Sequence, residues 1–210
     1  LLDYKVEDMQ RQVDEKKELD DAPLALIPVI SGEGFAAIYQ NFEIPQNPIT
    51  PMGHEASYEE FSAAIAAVKA KNIVLLPNNG NAIPTCELLV KRDGDVLRYL
   101  PSHDEAEGII ALSHFDPTFS NEENLEIMGK ALRNSLTFRL AKAEKAFHGD
   151  NVKVALGDFV ILKHNEPLAS SKSELSICCK LIKLLEGYPE ITVYYGVLVK
   201  EKDAERLVKH

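Results

Sequence analysis

LALIPVI at 24–30, NIVLLP at 72–77 and VLRYLP at 96–101 decide how this chain folds. Each is a short continuous run, apolar in its interior except for Arg98, and not a strict alternation of apolar and polar residues. Such runs suit strands buried on both faces of a parallel sheet, where helices cover both sides. Each run ends in a polar turn: SGEG at 31–34, NNGN at 78–81 and SHDE at 102–105. Helical segments fill the spaces between them. FAAIYQNF follows the first turn. From Ser57 to Ala70, Tyr58, Phe61, Ile65 and Val68 fall on one stripe, and Ser57 with Glu60 forms a capping box. Pro84 suits the first turn of the next helix and Gly94 its end. Ser120 with Glu123 caps a further helix carrying Leu125, Met128 and Leu132. Strand alternating with helix predicts a doubly wound, mostly parallel α/β lobe over 23–136.

Beyond about residue 137 the pattern changes. TFRLAKAEKAF and VALGDFVILKHNEPLASS read as extended segments, with turns at His148–Asn151 and His164–Pro167. A helix capped by Ser171 and Glu174 follows, with Leu175, Cys178, Cys179, Ile182 and Leu185 as its apolar face. ITVYYGVLV at 191–199 reads as another strand, and Lys200 to His210 as a helix. This predicts a second, mixed α/β lobe over 137–210. It reads as incomplete at its C-terminus, because the last helix leads to no further strand. Residues 1–22 are highly charged and read as a linker from an upstream domain. The opening Leu1–Leu2, in place of Met, reads as the start of an excised fragment.

The chain has 210 residues and a net charge of −10, and 45% of it is hydrophobic, enough for a substantial core. The acidic balance argues against nucleic acid and against an anionic membrane surface, since both need clustered Lys and Arg. No apolar run approaches the roughly 20 residues of a membrane span, so no membrane insertion is expected. Cys86, Cys178 and Cys179 do not form a disulfide framework, which points to a reducing, cytoplasmic setting. There is no CxxC and no His pair at ligand spacing on one helix face, so no metal site is expected. Phosphate-binding glycine loops, nucleophile elbows and HExxH are also missing.

IPVISGEGFAAIY, LLPNNGNAI and YLPSHDEAEGIIALSHFDP, in this order and spacing, resemble the C-terminal region of bacterial fatty acid kinase catalytic subunits. LLDYKVEDMQRQ resembles the junction after that family's middle domain. The resemblance implies a DegV-like fold. It also implies a parent protein with an N-terminal, dihydroxyacetone-kinase-like domain that binds ATP and magnesium. That parent would phosphorylate a fatty acid presented by a separate DegV-like binding protein, giving an acyl phosphate. The expected role of this region is non-catalytic: docking or regulating that partner and contacting the upstream domains of its own chain, with a homodimer possible. It carries no cofactor itself. The sequence departs from the family where a Gln-Thr-Met-Asn-Pro-Ser stretch is usual and NPITPMGHEAS stands at 47–57. The loop at 102–107, SHDEAE, is also more acidic than usual.

Ligands of open α/β sheets sit beyond the carboxyl ends of the strands. This singles out Ser31, Gly32 and Gly34, Asn78 and Asn79, and Ser102 and His103 as candidate ligand- or partner-binding residues, with no catalytic residue among them. Helix-start N–H groups there can hold a phosphate or carboxylate, and glycines allow close approach. The plainer reading makes Ser31 and Ser102 N-caps and lets Asn78 and Asn79 close turns. Glu33, Asp104, Glu105 and Glu107 favour it, because they stabilise helix N-termini internally and repel an incoming anion. His54 and His103 lack a sequence neighbour that would make either a nucleophile. His114 reads as packing or a cap, and Cys178 and Cys179 as packing. Three functions follow as alternatives. A docking domain predicts no catalysis. A DegV-like domain that itself binds a fatty acid or other small anionic ligand predicts an apolar tunnel with a polar group for the carboxylate. An enzyme related to dihydroxyacetone kinases predicts a His over a polar pocket. The acidic strand-end loops weigh against the second, and the missing nucleotide motif against the third.

Overall fold

In the computed structural model, the three apolar runs become one parallel sheet. The structure describes residues 24–42, 56–148, 152–196, 199–200, 202 and 204–205. The reading of 1–22 as a linker lies outside the described residues, as does His54. The strands are β1 (Ala25–Pro28), β2 (Ile73–Leu76) and β3 (Leu97–Tyr99), in the order β1-β2-β3. Ala25 pairs with Ile73, and Ile73 with Leu97. Every residue of β1 and β2 is buried, as unbroken apolar runs require, whereas β3 buries Leu97 and leaves Arg98 exposed, against the expectation of burial on both faces.

Helices cover both faces. The first is α1 (Glu33–Gln40), followed by α2 (Tyr58–Ala67) and α3 (Ile83–Asp93). After β3 come α4 (Glu105–Ser113) and α5 (Asn121–Asn134). Strand residues Leu26, Val74 and Leu76 pack with Tyr39, Ile109, Leu112 and Met128 on one face. Ile27, Ile73, Leu75 and Leu97 pack with Phe61, Cys86 and Leu89 on the other. The α/β class therefore holds, with helices on both faces of the parallel sheet. Burial, with Glu87 adding to it, pushes the Cys86 thiol up to about 12, so it behaves as a small core hydrophobe.

Local signals explain most helix ends. Ser57 and Glu60 form the expected capping box, and so do Ser120 and Glu123. Pro84 lies in the first turn of α3, and Gly94 ends it. Two expected caps are corrected. Ser31 does not cap α1, where Gly32 at φ 86 stands as N-cap without a side-chain bond. Ser102 does not cap α4, because its hydroxyl is bonded elsewhere and Asp104 takes the position, accepting from the Glu107 N–H.

The chain divides into two compact units, 1–136 and 137–210. In the second, β4 (Arg139–Lys142), β7 (Phe159–Lys163) and β8 (Glu166–Ser171) form an antiparallel sheet in the order β4-β7-β8. A separate pair joins β5 (Phe147–His148) to β6 (Lys153–Val154). His164 and Asn165 link β7 to β8 with φ of 49° and 69°, the two positive values a tight two-residue hairpin uses. Helix α6 (Glu174–Leu185) packs Ile177 and Leu181 onto Ile161.

Three expectations fail here. The N-cap of α6 is Ser173, which accepts from the Ser176 N–H, because β8 still runs through Ser171. The apolar face is Ile177 and Leu181, with Cys178 and Leu185 at its margin, while Leu175 is 71% exposed and Cys179 is exposed. Residues 191–196 form no strand, since nothing pairs with them among the described residues. Residues 202, 204 and 205 are helical. Among the described residues, no helix is long and apolar enough to cross a membrane.

Candidate functional site

Parallel alignment brings the chain after β1, β2 and β3 to one edge of the sheet. Val29 continues from β1, its N–H bonded to the Leu76 carbonyl at 2.8 Å. Asn78 lies two residues past β2, and Ser102 three past β3. Asn78 is 4% exposed and has φ 48, a left-handed conformation that Asn tolerates better than most residues. Its backbone N–H donates to Ser102 Oγ at 2.9 Å, and the Ser102 hydroxyl donates back to Asn78 Oδ1 at 2.7 Å. The Asn78 amide donates to the Val29 carbonyl at 2.7 Å and to Tyr39 Oη at 2.8 Å. Tyr39, fully buried, donates in turn to the Glu105 carbonyl at 2.9 Å. Every donor on Asn78 is thus engaged within the protein. The network ties the ends of all three strands to α1 and α4.

Gly108 makes this network possible. A Cβ there would overlap Tyr39 Oη and Asn78 Oδ1, so only a glycine lets α4 approach. Carboxylates finish the edge. Glu105 Oε1 accepts from the Ser31 N–H at 3.1 Å, just ahead of α1. Glu107, 5% exposed, accepts the His103 N–H at 2.7 Å, with the His103 ring Nδ1 3.1 Å from the same oxygen. This buried carboxylate therefore sets the orientation of the His103 imidazole.

The candidate residues therefore separate. Asn78 and Ser102 come together, buried and mutually bonded. His103 stands beside them, half-buried, its ring 3.6 Å from where a Cβ on Gly80 would lie. Asn79 turns away and accepts from the Asn81 N–H at 3.0 Å, closing its own turn. Gly32 and Gly34 are exposed, and a Cβ on either would meet nothing within 4 Å. Gly32 is required by its φ of 86, not by a close approach. Tyr39, Glu105, Glu107 and Gly108 complete the site. Glu105 and Glu107 were legible as acidic helix-start residues, whereas nothing in the sequence pattern singled out Tyr39 or Gly108.

Chemically, this edge positions and closes. The Ser102 hydroxyl is fully buried and donates to an amide oxygen, so it is not an activated nucleophile. Carboxylates, not cations, face the helix starts. His114, at the end of α4, keeps its ring Nδ1 2.9 Å from the Ile110 carbonyl, which makes it a cap. His148 and His164 are exposed in the second unit.

A family model for the C-terminal domain of FakA-like fatty acid kinase proteins matches residues 25–210. The chain belongs to this family. Protein YloV of Bacillus subtilis (strain 168) is 24% identical over 222 residues, which cover 99% of this chain and 40% of that protein. An uncharacterised protein of Staphylococcus aureus (strain USA300) is 25% identical over 219 residues, covering 99% of this chain and 39% of its own length. The chain thus spans about two-fifths of the length of these curated relatives. In this member of the family, the strand-end edge is closed by side chains of the domain itself.

Proposed function

We propose that this domain is the non-catalytic C-terminal part of a two-component fatty acid kinase, and that it docks or regulates a DegV-like fatty-acid-binding partner during acyl-phosphate formation. The parent protein would bind ATP and magnesium in a dihydroxyacetone-kinase-like domain upstream, in the cytoplasm. One observation carries the reading. The edge where an open α/β sheet receives a ligand is occupied by the Asn78–Ser102–Tyr39 network and flanked by Glu105 and Glu107. A fatty-acid carboxylate brought there would meet like charge, and its N–H partner at Ser31 already has a carboxylate.

Native mass spectrometry of the protein purified from bacteria, before and after adding oleate, tests this directly. The expected spectrum shows no bound acid in either sample. Oleate retained at one-to-one stoichiometry would overturn the docking reading in favour of a domain that itself holds the acid. Mixing with the DegV-like partner is then expected to give a complex.

A further inference from the structure

We infer that the outward face of α6 is the surface on which this domain receives its protein partner, and that the partner presents carboxylates around an apolar contact. The inference rests on the docking reading and names the surface. Ile177 and Leu181 point α6 at its own sheet. Steps of about 100° per residue put Cys179 directly opposite, with Leu175, Ser176 and Lys183 within about 60° of it and Lys180 on the flank toward β8. All five are exposed, Leu175 at 71%, and with Ser173 they line one depression.

The charge of this face runs against that of the chain. Residues 1–136 hold 11 Lys and Arg against 23 Asp and Glu, whereas 137–210 hold 12 against 10. The depression itself is lined by two lysines and no carboxylate, with Glu186 at the C-cap beyond it. Lys180 Nζ donates to the Ser170 carbonyl at 3.2 Å, which fixes its stem along the sheet beside β8. Lysine stems cover apolar surface while their ammonium groups stay in water, so Leu175 and Cys179 sit in a basic frame. A basic frame steers and orients an acidic partner and repels a basic one. A bilayer fits this face poorly. An interfacial helix needs a broad apolar face rich in Trp, Phe or Leu, and Leu175 is the one large apolar side chain that lines this depression.

The test measures binding of the full-length parent chain to the DegV-like partner by calorimetry at about 50 mM and about 300 mM salt. Lys180→Glu with Lys183→Glu is expected to weaken binding at least tenfold at low salt and less at high salt. Leu175→Ala is expected to weaken it about fivefold at both. Lys91→Glu, in α3 of the other unit, is the control and is expected to stay within about twofold. Circular dichroism melting checks that each variant is folded. Wild-type binding with an unaffected double variant would overturn the assignment of this face and leave the docking reading standing. No wild-type binding would overturn both. Sedimentation with phosphatidylserine vesicles that the double variant abolishes would reassign the face to a membrane and overturn the inference.

Discussion

The two units spend their apolar residues differently. The first buries both faces of a parallel sheet, with two clusters that together engage five helices. The second buries Ile161, Ile177 and Leu181 between one sheet and one helix. Of the fourteen large hydrophobic residues exposed among the described residues, four lie in 1–136 and ten in 137–210. A closed unit, whose buried Asn78 amide is fully bonded, thus shares a chain with one that leaves apolar surface in water. Contiguous exposed apolar surface marks interaction sites more often than stability. The contrast favours the second unit as the place of the proposed docking surface.

The sharpest way to break this contrast is to strike the closed network. Gly108→Ala forces a Cβ into Tyr39 and Asn78, adding overpacking to lost hydrogen bonds. A loss of about 4 kcal/mol is expected, read from the urea midpoint. Near-wild-type stability would show that α4 yields easily and that the edge is not rigid. Next comes Ile161→Ala, which hollows the small core of the second unit. A loss of about 3 kcal/mol is expected, with faster hydrogen exchange confined to β7, β8 and α6. Exchange that also rises in β1 and β2 would show that the two cores are not energetically separate. Ser102→Ala removes one hydroxyl that both accepts from and donates to Asn78. About 2 kcal/mol is expected, because a buried N–H and a buried amide oxygen are left unpaired. A neutral result would mean that water enters the network.

Much of the first unit was legible because its signals are local or redundant. Two unbroken apolar runs and a third broken at Arg98 identify parallel strands, and capping boxes such as Ser57 with Glu60 need only residues three apart. The second unit tested those rules where context decides. Ser171 and Glu174 match the capping pattern, yet Ser171 pairs with Phe159 in β8, so the helix waits for Ser173. ITVYYG has strong strand preference, but such preference measures fit to a neighbouring strand. Likewise, Asn78 and Ser102 were found by their positions at strand ends. Their bond across 24 residues of sequence, and the part Tyr39 plays in it, are products of tertiary packing that no spacing reveals.

The smallest expected effect tests whether the second unit follows local rules at least at its hairpin. Asn165 holds φ 69 between β7 and β8, and its side-chain oxygen accepts from Arg139 Nη2 at 2.6 Å. Left-handed backbone disfavours a Cβ-bearing residue by about 1 kcal/mol, and Asn offsets this with local hydrogen bonding. Asn165→Ala should therefore lower stability by about 1 kcal/mol. Asn165→Gly should stay closer to wild type, because it loses the Arg139 contact but gains backbone freedom. Thermal melts of both variants decide the matter. If the alanine and glycine variants melt together, the exposed Arg139 bond governs the site. If alanine alone falls, the turn is set by backbone conformation, and the register of β8, with the start of α6 three residues beyond it, is fixed from the hairpin outward.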